Sequence, residues 1–380
     1  MKLRYKISGG ILVVLFLAIS AFALVLRHDT PCEPASAVAD GATTMKAIVR
    51  RCYGSPDVLE LADVPKPVPG DNQLLVKVRA ASVNPLDWHF LRGTPYLIRL
   101  FSGIGAPDKP RLGVDFAGTV EAVGKDVTRF QPGDAVFGDT WGAFAEYVTV
   151  GADWAVVPKP ENLSFEQAAS VTVAAVTALQ ALRDKGKLQA RQKVLINGAS
   201  GGVGTFAVQI AKSMGAEVTG VCSTRNLEMV RSIGADHVID YTKEDYTKSG
   251  QQYDLIVDNV GNHSPSENRR ALTPQGTLVL VGGKPGNWLG PVVGPLKVWV
   301  MDHFVDQRLT GMLAHETPED LTILADLMKN GEVVPVIDRT YPLSEVADAI
   351  RYSEAGHARG KIVIEVGGPV VQPSTTDRTD

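Results

Sequence analysis

The stretch Lys193–Cys222, KVLINGASGGVGTFAVQIAKSMGAEVTGVC, restricts the fold more than any other part of the chain. Val194–Asn197 is a short apolar run stopped by Gly198, the pattern of a strand buried on both faces of a parallel sheet. Gly201, Gly202 and Gly204 follow. Phe206, Val208, Ile210 and Ala211 then recur at helical spacing up to Met214, and Gly215 reads as the helix stop. Glu217–Cys222 is a second strand. The whole makes one βαβ unit, the setting that a dinucleotide fingerprint requires. Glycines let backbone approach a pyrophosphate, and the helix N-terminus offers free N–H groups and the positive end of its dipole. Ser200, Gly201, Gly202, Val203 and Gly204 are therefore candidate cofactor contacts. Ala199 stands where the first Gly of G-x-G-x-x-G belongs, so a tight turn without a ligand stays open as the alternative.

A chain of 380 residues suggests two or three domains, and a net charge of −4 gives no sign of nucleic-acid binding. Cys32, Cys52 and Cys222 are far apart with no C-x-x-C, which suggests neither a zinc ribbon nor a disulfide framework. At the N-terminus, a basic flank (residues 1–6, with Lys2, Arg4 and Lys6) precedes an uncharged apolar run, Ile7–Leu26. That run is long enough to cross a bilayer as one helix, and the expectation is a single-pass transmembrane anchor over 7–26, with a cleaved signal peptide as the rival. The basic flank would leave the enzyme body outside the cytoplasm, which conflicts with a soluble nicotinamide cofactor, so sidedness stays open. Residues 27–44, rich in Ala, Pro, Thr and Asp, read as a flexible tether.

From Met45 onward, short strands separated by Gly and Pro read as an all-β domain of barrel type. QLLVKVRAAS at Gln73–Ser82 alternates like a half-buried strand, and Glu161–Leu182 reads as one helix with a Ser164-x-x-Gln167 cap. After the fingerprint, strands and helices alternate, the pattern of a doubly wound parallel sheet. The apolar insert Lys284–Asp306 reads as an active-site loop or an oligomer contact.

Several motifs in order carry a family resemblance: Asn84-Pro85-Leu86-Asp87, Leu112–Gly118, Gly133–Gly138, Asn197–Gly204, Gly234–Tyr241 and Arg359–Val363. Through them, Met45–Val366 resembles the medium-chain dehydrogenase/reductase superfamily, specifically its zinc-free quinone oxidoreductase (zeta-crystallin-like) branch. The resemblance implies a split GroES-like β-barrel domain (45–166 and 316–368) around a Rossmann domain (167–315), and the polar end of the chain reads as a disordered tail at 369–380. It also implies homodimerisation. Zinc-dependent members carry a Cys near Asn84–Asp87 and a Gly-His-Glu where this chain reads Gly113-Val114-Asp115. Val114 cannot bind a metal, and Ser170–Ala175 offers no strong third ligand, so no zinc is expected. Asp87, His89 and Asp115 remain as repurposed ligands in principle.

After the second Rossmann strand the chain reads Cys222-Ser223-Thr224-Arg225-Asn226, with no carboxylate for an adenosine ribose. Arg225 and Ser223 suit a 2′-phosphate, so NADPH is expected over NADH, and the resemblance adds Tyr241. Asn259 and Gly282 sit at the ends of later strands, as nicotinamide-side candidates, and Lys361 is implied near the cofactor. By resemblance, Asn84 and Asp87 border the acceptor. Trp88 stands where the family often has Tyr, and an indole cannot give up a proton. The combined expectation is an NADPH-dependent, zinc-independent reductase of quinones or α,β-unsaturated carbonyls. A lipid enoyl or alkenal reductase, and a non-catalytic NADPH-binding membrane protein, are the alternatives.

Overall fold

The computed structural model describes residues 2–34, 41–283, 287 and 290–367, and the side chains of 2–14, 290–293 and 295 lie outside that description, as does the expected tail at 369–380. Along the chain come α1 (Lys2–Arg27), β1 (Thr44–Val49), β2 (Glu60–Pro65), β3 (Gln73–Val83), α2 (Pro85–Arg92), α3 (Arg99–Ser102), β4 (Asp115–Val123), β5 (Ala135–Asp139), β6 (Tyr147–Gly151) and β7 (Val156–Pro158). The middle third holds α4 (Phe165–Ala169), α5 (Thr172–Gln180), β8 (Lys193–Asn197), α6 (Gly202–Ser213), β9 (Glu217–Cys222), α7 (Leu227–Ser232), β10 (His237–Asp240), β11 (Tyr253–Asp258), α8 (Pro265–Arg270), β12 (Leu272–Leu280), α9 (Gly290–Asp302) and β13 (Arg308–Gly311). The chain then closes with α10 (Pro318–Lys329), β14 (Ile337–Pro342), α11 (Val346–Glu354) and β15 (Lys361–Glu365).

Strands β8 to β13 form one parallel sheet in the order β10-β9-β8-β11-β12-β13. Successive crossovers run outward from β8 in one direction and from β11 in the other. The crevice at the carboxyl ends of β8 and β11 is therefore the switch point where such sheets bind ligands. The second sheet has the order β14-β15-β3-β4-β5-β7, with β6 also on β3. It takes strands from both ends of the chain, since β15 lies antiparallel to β3 with Ile362 opposite Val83. This pairing carries Lys361 from the far end of the sequence to the end of β3, beside Asn84. Strand β3 alternates less than its composition suggests, because Ala80–Val83 is buried throughout, flanked by β15 and β4.

The helix expected over Glu161–Leu182 is broken. Ser164 does cap it, accepting from Gln167 N, and Gln167 reaches back to Ser164 N. At Ser170, however, the hydroxyl and the amide both donate to the Gln167 carbonyl, and α5 restarts at Thr172. A serine that bonds to its own backbone competes with the helix ladder. The restart leaves the Val173 N–H free for the site described below.

The N-terminal segment departs from expectation in three ways. Residues 2–27 form a single helix, yet among the described residues no helix is long and apolar enough to cross a membrane. The transmembrane reading of 7–26 is therefore not supported, and the side chains of its first half, 7–14, lie outside the described residues. Of the expected tether over 27–44, residues 35–40 lie outside the described residues, and its start is held: Asp29 ion-pairs with Arg99 at 2.8 Å, and Thr30 N donates to Gly105 O at 2.9 Å. Finally, Cys32 and Cys52 are disulfide-bonded with Cα atoms 4.7 Å apart. The intervening chain turns back through β1, which brings together two cysteines whose sequence spacing gave no sign of pairing.

Candidate active site

The loop between β8 and α6 is shaped by two glycines. Gly198 sits at φ +78°, where a side chain would be strained. Gly204 packs so closely that an added Cβ would overlap the Gly198 carbonyl oxygen and lie 2.8 Å from the Ala199 Cα. Helix α6 starts at Gly202 after an extended Gly201, and its first-turn N–H groups have no intrahelical partner. The other sheet closes on this loop: Gly360 N donates to Ser200 O at 2.9 Å, and Gly201 and Gly360 form a parallel bridge.

From this loop an open cleft runs in both directions between the two sheets. One end is walled by Ser223, Arg225, Asn226, Tyr241 and His357, the other by Asn84, Val173, Asn197, Asn259, Val260 and Asn262. At the first end Arg225 Nη2 donates to His357 O at 2.7 Å, and no carboxylate lines the wall. Two amide oxygens in the walls, Asn226 Oδ1 and Asn259 Oδ1, are buried and accept no hydrogen bond. Unspent acceptors of that kind are costly unless a ligand uses them. A glycine cradle at a helix N-terminus, with a free acceptor toward each end of a long cleft, fits a dinucleotide.

The floor at the second end is a buried polar hub centred on Asp115, which is fully buried at the start of β4. Its Oδ2 accepts from Ser82 Oγ at 2.8 Å and from Asn84 Nδ2 at 2.9 Å, and it lies 3.3 Å from Lys361 Nζ. Its Oδ1 takes the Val173 N–H at 3.1 Å, the donor released by the break before α5. Lys361, itself buried, donates to Asn84 Oδ1 at 2.6 Å. The Asn84 amide is thus held at both ends, with its orientation set by an acceptor on one side and a cation on the other. Lys361 keeps one of its three N–H donors beyond these two contacts.

The sequence candidates separate on this geometry. Ser200 to Gly204, Ser223, Arg225, Tyr241, Asn259, Lys361 and Asn84 all line the cleft. Gly282 does not: it backs the Asn259 loop, where a Cβ would meet the Asn259 carbonyl. Asp87 is buried behind the floor, and its two oxygens accept from Asn84 N at 2.7 Å and Gly113 N at 3.1 Å. It holds the turn that presents Asn84 and faces no acceptor. Trp88 packs against the β-domain core and lies over the His89 ring, with centroids 3.8 Å apart, outside the cleft lining. Sequence reasoning missed Asn226, Asn197, Asn262, Val173 and His357. The available signal was the place of Asn197 at the end of a parallel strand, with Asn226 and Asn262 in the loops that follow two others.

Comparison with known proteins gives the same outline. Residues 70–161 match the alcohol dehydrogenase GroES-like domain and residues 233–364 a zinc-binding dehydrogenase family. The chloroplast envelope quinone oxidoreductase homolog of Arabidopsis thaliana is 34% identical over 337 residues, covering 84% of this chain and 98% of that protein. The chain belongs to the medium-chain dehydrogenase/reductase superfamily. A 2-methylene-furan-3-one reductase of Solanum lycopersicum is 32% identical over 94% of this chain and 90% of its own length. The solved quinone oxidoreductase of Coxiella burnetii superposes with a TM-score of 0.76 at 33% identity, over 86% of this chain and all of that one. As a member of the superfamily, the protein is a nicotinamide-dependent oxidoreductase.

Some medium-chain dehydrogenases hold a catalytic zinc, which needs about three donors around an open position. The donor set here does not fit one. Val114 is a hydrocarbon, both Asp87 oxygens are engaged by backbone N–H groups, and Asp115 is engaged by Ser82, Asn84, Lys361 and Val173. His89 Nδ1 is bonded to the Thr94 carbonyl at 2.8 Å. Among the described residues no three His, Cys, Asp or Glu converge.

Asp139, at the end of β5, has a buried oxygen with no partner, and its pKa is raised from 3.8 to about 7 by burial and then by the nearby Glu316 and Asp115 charges. Folding therefore retains a proton that the unfolded chain releases, and stability falls as pH rises from about 4 to about 7. Asp139→Asn is expected to remove that penalty, so its melting temperature relative to the native chain should climb between pH 5 and pH 8. An offset that is the same at both pH values would contradict the assignment.

Proposed function

We propose that the protein is an NADPH-dependent reductase that delivers hydride to a quinone or an α,β-unsaturated carbonyl without a metal. The observation that carries this reading is the Asp115–Asn84–Lys361 hub, which occupies the floor of the cleft with N–H donors and spent carboxylate oxygens. Quinones and enones are activated acceptors and need no Lewis acid to take hydride. Their reduction does need donors for the developing oxyanion. The nicotinamide, when bound, supplies the hydride. The protein's part is to fix the acceptor against it, and the doubly anchored Asn84 amide and the remaining Lys361 N–H are the donors on hand. Trp88 faces the core and His89 is bonded to Thr94, so the last proton comes from water. The names of the Arabidopsis and Solanum relatives support the quinone and the enone arms respectively. We include in this reading that α1, with the uncharged run Ile7–Leu26, holds the enzyme at a membrane.

NADPH preference rests on Arg225 and Ser223 beside an adenosine wall without a carboxylate. Charge-assisted hydrogen bonds of this kind contribute about 1.5–3 kcal/mol. Arg225→Ala should therefore raise KM for NADPH roughly 10- to 100-fold and leave KM for NADH unchanged. Equal effects on both cofactors, or none on either, would remove Arg225 from the 2′-phosphate site.

A further inference from the structure

We propose that the surface around α3 rests on a lipid bilayer, in an orientation fixed by a clamp that docks the end of α1 onto the catalytic domain. The inference rests on the membrane reading of α1 and adds a second contact surface and a fixed geometry. The clamp is Arg99. Its side chain is buried, Nη1 donates to Leu26 O at 3.0 Å and His28 O at 3.1 Å, and Nε donates to Gly93 O at 2.9 Å. Nη2 pairs with Asp29 at 2.8 Å, and the guanidinium lies 4.4 Å from the Tyr53 ring centroid and 4.8 Å from that of Tyr96. A cation on the last carbonyls of a helix satisfies orphan acceptors and suits the dipole. Leu26 is fully buried in the same socket, and the Cys32–Cys52 disulfide closes the segment that leaves it. A helix that served only as a leash would need none of these contacts.

Two apolar surfaces are thereby held together. On α1, Leu15, Phe16, Leu17, Ile19, Phe22, Leu24 and Val25 are exposed, and at 3.6 residues per turn they point to all sides. A protein groove takes one stripe of a helix; apolar character all round suits hydrocarbon. Arg27 and His28, exposed after the run, place basic groups where anionic headgroups lie. On the domain, the turn that begins with the clamp residue presents Phe101, 87% exposed, with Ile104 and Leu100. Lipid is therefore the single occupant for both surfaces.

The full chain, reconstituted into vesicles of phosphatidylcholine and phosphatidylglycerol that contain a phospholipid with a photoactivatable acyl chain, should be labelled on α1 and on residues 100–104. Arg99→Gln with Cys32→Ser should keep the α1 adducts and lose at least fivefold at 100–104. Phe101→Ser, which spares the clamp, should cut labelling at 100–104 to a similar degree. Adducts on α1 but none at 100–104 in the native chain would overturn the proposal and leave a simple tether. No adducts on either would overturn the membrane reading itself, whatever the hydride acceptor. Crosslinks between two copies at 100–104 would reassign the patch to a dimer and also overturn the proposal.

Discussion

Asp115→Ala should cost about 3–5 kcal/mol of folding stability, the range for removing one partner of a buried ion pair. Asp115 is fully buried and carries four contacts from three separate parts of the chain: Ser82 and Asn84 around the end of β3, Val173 in α5 and Lys361 at the start of β15. Alanine would leave the Lys361 ammonium buried with Asn84 as its one remaining partner and would orphan the Val173 N–H. Total stabilities of domains are about 5–15 kcal/mol, so the variant is expected to unfold at much lower urea concentration. Those molecules that do fold should have lost most turnover, because the Asn84 amide is then held at one end only. Asp115→Asn keeps the shape but not the charge and should fall between the two. A loss below about 1 kcal/mol for the alanine variant, read from urea unfolding, would mean that the hub does not hold the site together.

Gly204→Val should weaken cofactor binding by roughly 5- to 150-fold or more. The valine Cβ would have to occupy the place of the Gly198 carbonyl and of Ala199 backbone atoms, neither of which can turn aside as a side chain would. The start of α6 must move away from β8, and overpacking against backbone carries a penalty of about 1–3 kcal/mol or more before any ligand is considered. A shift of that size at a pyrophosphate site corresponds to an affinity loss of roughly 5- to 150-fold or greater. Gly201→Ala is the control. At Gly201 the nearest atom to an added Cβ is 3.5 Å away and φ is −85°, so this variant should fold normally and report on close approach of the cofactor alone. Normal NADPH affinity in folded Gly204→Val protein would contradict the role given to the loop.

Much of the fold was legible because its determinants are local. The βαβ unit announces itself through an apolar run, glycines and a periodic helix, and the Ser164–Gln167 cap forms as its spacing implies. Of the site candidates, Ser200 to Gly204 lie on that unit and Arg225 just after it, and all of them line the cleft. It was misread where a side chain turns with the backbone. Asp87 sits three residues after Asn84, and in a helical first turn that spacing points its carboxylate back at the Asn84 N–H instead of forward to a ligand. The contacts of the hub were not legible because Asn84 and Lys361 are 277 positions apart, and the β15–β3 and β3–β4 pairings are what bring them and Asp115 together. The disulfide was missed for a similar reason, since nothing local to Cys32 or Cys52 marks the other as its partner.

The most direct test of the central claim is oxidation of NADPH by the full-length protein in the presence of a water-soluble quinone or an enone, with NADH in parallel and with and without a strong chelator. The hub and the Arg225 wall together predict turnover that prefers NADPH and is untouched by the chelator. Activity that the chelator abolishes, or oxidation of a simple alcohol in its absence, would contradict the metal-free reading and return Asp87, His89 and Asp115 to consideration as ligands.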